Sequence, residues 1–425
     1  MVDSVIECMK KVEELNGAMV IISIEPGFSV CPKDPEQIAF REIMGAVNQR
    51  IANTAQEVYL SASGIQFRIR WKGRKNMTID QLINFARSKN ASDIHLTVGA
   101  PTSIRINGEL KKFDGMDDEV VSRTILSMLS AEQEKRLGAG EDIDFSFTAQ
   151  SGGRQRVNVY HQNGGKLAAA IRLLNEHIPS FKDICLPQAA IDLTKELKGL
   201  ILVTGPTGSG KSTTLATMVD QINQTRPCHI LTIEDPVEYV YQPKMATIHQ
   251  REIGTDVPNF DYALRSGLRE NPDVILVGEM RDYETIQLAI TAAETGHLVL
   301  GTLHTTGAAQ TINRIIDVFP SDVQNQIRSQ LSGNLRGVIS QMLVPMKNIE
   351  RGRTAAFEIL INNDASANNI RAEKVHQLEQ VMASNASIGM RTMNESLKRL
   401  VRDDVISRET ALTYSPDKDE LRKIF

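Results

Sequence analysis

The chain has 425 residues, enough for about two or three domains, and its hydrophobic content of 41% and charged content of 24% are ordinary for a globular protein. The formal net charge of −4 disfavours a nucleic-acid partner, because binding to a phosphate backbone requires clustered positive charge. The four cysteines form no C-x-x-C pair, which disfavours a zinc ribbon or a disulfide framework.

No apolar run approaches the length of a membrane span. The acidic residues Asp3 and Glu7 also disfavour a signal peptide at the N-terminus. We therefore expect a cytoplasmic protein whose contact with a membrane comes only through partners.

Residues 1–75 have the pattern of a small α/β module. Ala18–Ile24 is apolar enough for a strand, and a helix is predicted from Pro35 to Ile51. Val58–Leu60 and Ile65–Trp71 alternate like two strands joined by a turn. No chemical constellation is present here, so we expect a docking or stabilising role.

Residues 76–178 are predicted to form a second domain, an antiparallel sheet with helices. Thr78 can cap a helix, and Asp93–Val98 alternates like a strand. Asn107-Gly108 predicts a tight hairpin, and glycine-rich turns flank the strand Arg154–Tyr160. The segment from residue 178 to Pro187 is the expected linker.

From residue 187 to 425, strands and helices alternate, which indicates a doubly wound α/β sheet with parallel strands. Four apolar runs are the predicted strands: Leu200–Val203, Ile230–Ile233, Val274–Val277 and Leu298–Leu303. Beyond Pro320 the chain is predicted to be mainly helical, apart from Ala355–Ile361.

The segment from Gly205 to Ser212 fits G-x-x-x-x-G-K-[ST], the phosphate-binding loop, with a strand before it and a helix after it. Its glycines let backbone N–H groups converge on phosphate, and the helix N-terminus adds partial positive charge. Lys211 can reach the β- and γ-phosphates, and the Ser212 hydroxyl can ligate Mg²⁺. We therefore predict that ATP and Mg²⁺ bind here, with these contact residues: Gly205, Pro206, Thr207, Gly208, Ser209, Gly210, Lys211, Ser212 and Thr213.

Acidic residues follow two of the predicted strands. Glu234, Asp235 and Glu238 follow one, and Glu279 follows another in a Walker B-like segment with Gly278 where aspartate is usual. Without that aspartate, Mg²⁺ would rely on Ser212, phosphate oxygens and water, which leaves Glu279 to orient the attacking water. The first group could be solvated loop charge, but strand ends beside a phosphate loop favour a function.

Three arginines and one histidine are further candidates. Arg265 and Arg269 are four residues apart and are predicted to share one helix face, and Arg156 lies on a strand of the preceding domain. Taken singly, each arginine would be a solvated or salt-bridged residue. His304 would be an ordinary histidine at a strand end.

Taken together, these motifs resemble the secretion ATPase superfamily of type II secretion and type IV pili, and within it the type IV pilus retraction (twitching motility) ATPases. The resemblance covers roughly residues 76–425 and rests on five segments: Ala91–Leu96, the phosphate loop, Thr232–Pro236, Gly278–Asp282 and Thr295–His304. It implies an α/β protein with a PAS-like α+β domain followed by a RecA-like ATPase domain, assembled as a homo-hexamer.

The resemblance also implies roles for particular residues. Glu238 corresponds to the family's catalytic glutamate, Glu279 to its Walker B glutamate, and His297 and His304 to its histidine box. The family's charge-stabilising arginines correspond to Arg156, Arg265 and Arg269, with Arg156 acting from the domain interface.

Two departures from the family stand out. Residues 1–75 match nothing in the retraction family, and the family's A-I-R-N-L-I-R helix appears as Ala365–Arg371 with Ser366, Ala367 and Asn369 in place of Ile, Arg and Leu. The zinc-binding tetracysteine of many assembly relatives is absent, which favours the retraction branch.

The resemblance thus implies a cytoplasmic, Mg²⁺-dependent ATPase that powers pilus retraction through an inner-membrane pilus platform protein. Three alternatives remain open: a pilus assembly or type II secretion motor on the same core, a nucleic-acid translocase, and a nucleotide-gated scaffold without appreciable turnover. The acidic composition disfavours the translocase.

Overall fold

The structure, a computed structural model, divides into two compact units, Met1–Leu173 and Leu174–Phe425. The described residues are Glu7, Ile21, 34–54, 57–62, 65–71, 77–106, 108–113, 116–150, 153–174, 177–347 and 352–424. The predicted strand Ala18–Ile24 lies outside them apart from Ile21, as do Asn107 and residues 151–152 of two predicted turns.

The first unit begins with one helix and a pair of strands. Helix α1 is Pro35–Thr54, and strands β1 (Glu57–Ala62) and β2 (Ile65–Trp71) pair antiparallel. These elements match the helix and the two strands predicted from the sequence.

A six-stranded antiparallel sheet follows in the same unit. Its strands are β3 (Ala91–Thr97), β4 (Thr102–Ile106), β5 (Glu109–Phe113), β6 (Ile143–Thr148), β7 (Arg154–Gln162) and β8 (Lys166–Leu173), in the order β5-β4-β3-β8-β7-β6. Its helices are α2 (Ile79–Ser88), α3 (Asp118–Leu126) and α4 (Ala131–Gly138). Thr78 and Gln81 form a capping box at the start of α2, which buries Leu82 and Ile83 in the core. The predicted antiparallel sheet with helices is therefore present.

The second unit contains a seven-stranded mixed sheet. Its strands are β9 (Gly199–Thr204), β10 (His229–Glu234), β11 (Thr247–Glu252), β12 (Val274–Val277), β13 (Leu298–Leu303), β14 (Leu335–Pro345) and β15 (Arg353–Ile361). Their order is β11-β10-β12-β13-β9-β14-β15, and every pairing is parallel except the antiparallel pair β14–β15. The carboxyl ends of β9, β10, β12 and β13 therefore lie along one edge of the sheet.

Helices accompany this sheet and complete the second unit. They are α5 (Gln188–Asp192), α6 (Lys211–Thr225), α7 (Phe260–Gly267), α8 (Tyr283–Glu294), α9 (Ala308–Asp317), α10 (Gln324–Asn334), α11 (Asp364–Arg371), α12 (Leu378–Ser384), α13 (Met393–Arg402), α14 (Arg408–Tyr414) and α15 (Lys418–Ile424). Alternate residues of β9 enter two hydrophobic clusters, Leu200 and Leu202 one and Ile201 and Val203 the other. Both faces of the sheet are thus buried, as its continuous apolar strands predict.

The prediction of a mainly helical chain beyond Pro320 is wrong for Leu335–Pro345, which forms β14. This strand pairs with β9 on one side and β15 on the other, so long-range pairing overrides the local preference. The protein is an α/β protein with an antiparallel N-terminal sheet and a mixed C-terminal sheet. Among the described helices, none combines the length and apolar character needed to cross a membrane.

Candidate nucleotide-binding site

The phosphate loop lies between the end of β9 and the start of α6, where the sequence motif predicts it. Gly210 precedes the helix with a φ of 89°, in the left-handed region that favours glycine. A side chain at Gly205 would overlap with the carbonyl oxygen of Gln341. Both glycines therefore allow the close path of this loop.

Lys211 is the cation of the loop. Its Nζ donates to the carbonyl oxygens of Gly205 at 2.8 Å and Pro206 at 3.2 Å. Burial lowers the pKa of Lys211, although the nearby carboxylates of Glu279 and Glu238 act in the opposite direction. A desolvated ammonium of this kind gains strongly from an anionic ligand, as phosphate would be.

Gln341 supports the loop from β14 and was not predicted. The side chain is buried, donates from Nε2 to the Ser209 carbonyl at 2.7 Å, and accepts from the Thr214 hydroxyl at 2.8 Å. Gln341 is not predicted as a support of the loop because the strand that carries it, β14, is predicted to be helical. Its two hydrogen bonds connect the loop to the first turn of α6.

Glu279 lies directly beside the loop in a cluster of charged groups. Its carboxylate accepts from Arg281 at 2.6 and 2.7 Å and lies 3.0 Å from Nε2 of His304. The other ring nitrogen, Nδ1 of His304, is 3.3 Å from the Thr207 hydroxyl of the loop. The histidine thus connects the phosphate loop to Glu279.

The charges around Glu279 affect its pKa more than its partial burial does. Burial acts to raise the pKa of Glu279, but the Arg281 hydrogen bond, followed by His304 and Lys211, lowers it overall. Glu279 is therefore an ionised acceptor at neutral pH. Arg281 was not singled out from the sequence, although residues 279 and 281 lie two apart and share a side in an extended segment.

Gly278 allows this segment to approach β10 closely. Its N–H donates to the Ile233 carbonyl at 2.8 Å, and a Cβ there would lie 3.1 Å from that oxygen and 3.2 Å from Cα of Glu234. A side chain at this position, such as the usual aspartate, would be crowded against the backbone of β10.

Three further acidic residues lie at or after the end of β10. Glu238 is half-buried and close enough to Lys211 to affect the pKa of that lysine. Burial raises the pKa of Glu234 from 4.5 to about 7, although hydrogen bonds from Thr232 and Gln250 oppose the rise. Asp235 is exposed. The structure therefore brings Glu238, Glu279, His304 and the loop to one edge of the sheet.

The arginines predicted from the sequence lie elsewhere. Arg265 is exposed and paired with Asp261 at 2.8 Å, and α7, which carries it, packs on β10, three strands away from β9. The prediction that Arg269 shares a helix face with Arg265 is wrong, because α7 ends at Gly267 and the chain turns toward Pro272, before which helical backbone is disfavoured.

Arg156 and His297 also have structural partners of their own. Arg156 forms two hydrogen bonds to Asp144 across β6 and β7, at 2.7 and 3.3 Å, in the first unit. His297 precedes β13, where its Nδ1 is 2.9 Å from the Ala292 carbonyl. Because His304 follows the same strand, the two histidines lie at opposite ends of β13, roughly 20 Å apart.

Mg²⁺ fits the donor set at the loop. No group of three or more His, Cys, Asp or Glu that could hold a metal occurs in the described part of the chain. The start of α6 offers the Ser212 hydroxyl beside the glycine cradle and Lys211. Mg²⁺ prefers few protein ligands together with water and substrate phosphate, so this set suits it.

Comparison with known proteins identifies the family. The family model described as "Type II/IV secretion system protein" matches residues 70–412. The chain belongs to this family. Its predicted resemblance to the pilus retraction ATPases is confirmed by the individual relatives.

A type IV pilus retraction ATPase of Pseudomonas aeruginosa is 45% identical over 337 residues, which cover 79% of this chain and 97% of that protein. A twitching motility protein of Neisseria gonorrhoeae is 47% identical over 320 residues, 75% of this chain and 85% of that one. The crystal structure of a pilus retraction motor PilT with bound ADP aligns with a TM-score of 0.77 and 47% identity, covering 82% of this chain and all of that one.

Residues 1–69 are similar to a different family, whose model is described as "Cobinamide kinase / cobinamide phosphate guanyltransferase". No resemblance for this segment is predicted from its sequence motifs. The match ends just before the match to the secretion family begins.

Proposed function

We propose that this protein is a Mg²⁺-dependent ATPase that powers the retraction of type IV pili in twitching motility. The observation that carries the proposal is the partly buried Lys211 in a glycine loop, with His304 connecting that loop to ionised Glu279. Retraction rather than assembly is supported by the relatives, which include a pilus retraction ATPase and a twitching motility protein.

In the proposed reaction, water attacks the γ-phosphorus of ATP. The bond between the γ-phosphorus and the oxygen that bridges it to the β-phosphate breaks, and ADP leaves with that oxygen. The loop amides and Lys211 bind the β- and γ-phosphates, and Ser212 would hold Mg²⁺. Bound Mg²⁺ would supply positive charge against the phosphate oxygens. Glu238 and Glu279 orient the attacking water and accept its proton. His304, which contacts both Glu279 and the Thr207 hydroxyl, holds the Glu279 carboxylate in place beside the phosphate loop.

The finer architecture is also part of the proposal. Residues 187–425 form a RecA-like ATPase domain, residues 76–178 a PAS-like domain, and residues 1–75 an additional module. The chain assembles as a cytoplasmic homo-hexamer, so that Arg156, Arg265 and Arg269 contribute positive charge to transferring phosphate across interfaces, an effect worth roughly 10³–10⁵ in rate. The hexamer acts on an inner-membrane pilus platform protein.

Complementation of a pilus-bearing host that lacks its retraction ATPase tests the proposal. The full chain should restore retraction of fluorescently labelled pili, and Lys211→Ala should not. Restored pilus assembly in a host that lacks its assembly ATPase, without retraction, would instead identify an assembly motor. Failure of both strains to recover would contradict a pilus function.

A further inference from the structure

The segment that carries Glu238 has no regular secondary structure. Between the end of β10 at Glu234 and the start of β11 at Thr247, the chain forms neither helix nor strand. Buried backbone N–H and C=O groups in such a segment need partners, because an unpaired group costs free energy. Around Glu238 the partners are side chains of β10 and β11, and from Gln242 to Ala246 they belong to Asn223 of α6.

Three side chains hold the backbone on both sides of Glu238. The Glu252 carboxylate accepts from the N–H of Val237 at 3.0 Å. The backbone of Glu238 is close enough to the Glu234 carboxyl to act to lower the pKa of that group. Gln250 donates from Nε2 to the Tyr239 carbonyl at 2.8 Å and accepts at Oε1 from the N–H of Tyr241 at 3.0 Å.

Gln250 is the most connected of the three. Its Nε2 also lies 3.3 Å from Oε1 of Glu234, which accepts from the Thr232 hydroxyl at 2.7 Å. The amide can take only this orientation, because the reverse would oppose its NH₂ to the Tyr241 N–H and its oxygen to the Tyr239 carbonyl. Gln250 lies directly opposite Thr232 in the parallel pairing of β11 with β10, so its backbone is fixed by the sheet.

The held segment also contacts the nucleotide site. The Tyr239 hydroxyl lies 3.1 Å from the Thr213 hydroxyl in the first turn of α6. Tyr239 is therefore held at its carbonyl by Gln250 and at its hydroxyl by the helix that follows the phosphate loop. Glu238 is the residue immediately before it.

We propose that Gln250 is a positioning residue that fixes Glu238 relative to the phosphate loop. The proposal rests on the function given above, in which Glu238 prepares the attacking water. Gln250 acts through the backbone of Tyr239 and Tyr241 and makes no contact with the reacting atoms. A displacement of about 1 Å in such a group can cost about a hundredfold in rate.

The first test replaces Gln250 in the full chain. Gln250→Leu has a similar volume and removes both backbone contacts, whereas Gln250→Glu keeps the acceptor for Tyr241 and loses the donor to Tyr239. We expect kcat for ATP hydrolysis to fall by roughly 10- to 100-fold in Gln250→Leu, while KM for ATP and Kd for ADP stay within about twofold. Gln287→Leu, on the exposed face of α8, is the matched control and should change none of these values.

The second test combines each replacement with Glu238→Gln. If Gln250 acts only through Glu238, the double variant should be no slower than Glu238→Gln alone. A further tenfold loss in that background would overturn the proposal, as would unchanged kcat in the Gln250 variants. Should Gln250→Leu fail to fold, Gln250→Glu carries both tests, because it preserves the side-chain volume.

The same measurements separate this inference from the function on which it rests. A wild-type chain without turnover, or a fully active Glu238→Gln variant, would contradict the proposed function. A slow Glu238→Gln variant with fully active Gln250 variants would contradict the positioning role alone.

Discussion

Substitution of Gly278 by alanine tests how closely the Glu279 segment must approach β10. The new Cβ would lie 3.1 Å from the Ile233 carbonyl oxygen and 3.2 Å from Cα of Glu234, closer than ordinary van der Waals contact. Both neighbours are backbone atoms of a central strand, and Gly278 is hydrogen-bonded to one of them, so neither can move aside freely. We expect a loss of about 1–3 kcal/mol in the free energy of unfolding, the usual cost of overpacking.

The catalytic effect should exceed the effect on stability, because the displaced atoms adjoin Glu234 and Glu279. We expect Gly278→Ala to lose at least about tenfold in kcat, and Gly278→Asp to lose more. Gly333→Ala is the control, since a Cβ there meets nothing within 4 Å and alanine favours the α10 helix by up to about 1 kcal/mol. Urea unfolding and steady-state ATP turnover measure both effects. A Gly278→Ala protein as stable and active as the wild type would refute the reasoning.

Three further predictions concern Glu234, Ser366 and residues 1–75. Because the folded pKa of Glu234, about 7, exceeds its ordinary value of 4.5, the stability that its neutral form contributes is fully present below about pH 4.5 and is lost as the pH rises to about 7, on the order of 3 kcal/mol. Since Glu234→Gln cannot ionise, the wild type should lose unfolding free energy relative to this variant over that range, and a constant difference would contradict the prediction. Ser366 is buried in a capping box with Asn363 at the start of α11, so Ser366→Ala should cost about 1 kcal/mol in thermal unfolding, and an unchanged midpoint would count against this role. Removal of residues 1–75 should leave ATP hydrolysis largely intact but abolish pilus retraction in the cell; equal retraction by the truncated chain would exclude coupling through that segment.

The phosphate loop and the strand ends around it could be predicted because their signals are local. Glycines at fixed spacing, apolar runs of strand length and a following helical period all lie within a few residues of the chemistry they serve. His304 follows β13 directly, and Glu279 and Glu238 lie within a few residues of the ends of β12 and β10. Parallel strands bring such ends together.

The features that could not be predicted from the sequence depend on the pairing of strands that are far apart in the chain. The 11-residue strand β14 contains two helix-disfavouring residues, Gly337 and, at its last position, Pro345, and its place between β9 and β15 makes it a strand. Gln341 becomes a support of the loop only through that pairing. Gln250 lies on β11, whose polar sequence has no strand-like alternation.

The environment of Ser366, which stands where the family has isoleucine, also could not be predicted from the sequence. Loss of the family's isoleucine predicts lost packing, but the structure buries the serine and satisfies its hydroxyl with Asn362 at 2.8 Å. At this position the chain thus has a hydrogen-bonded helix cap, which position-by-position comparison cannot reveal.

The most direct test of the account is Mg²⁺-dependent ATP hydrolysis by the purified full chain, measured beside ADP binding. Glu279→Gln and Glu238→Gln should each retain ADP binding and lose turnover by roughly a hundredfold or more, the scale of a positioned acid–base group. Lys211→Ala should weaken binding itself, and Glu284→Gln, an exposed glutamate on α8, should match the wild type. Full activity in both glutamine variants, or a wild-type chain that binds ADP but never hydrolyses ATP, would contradict the assignment of this site.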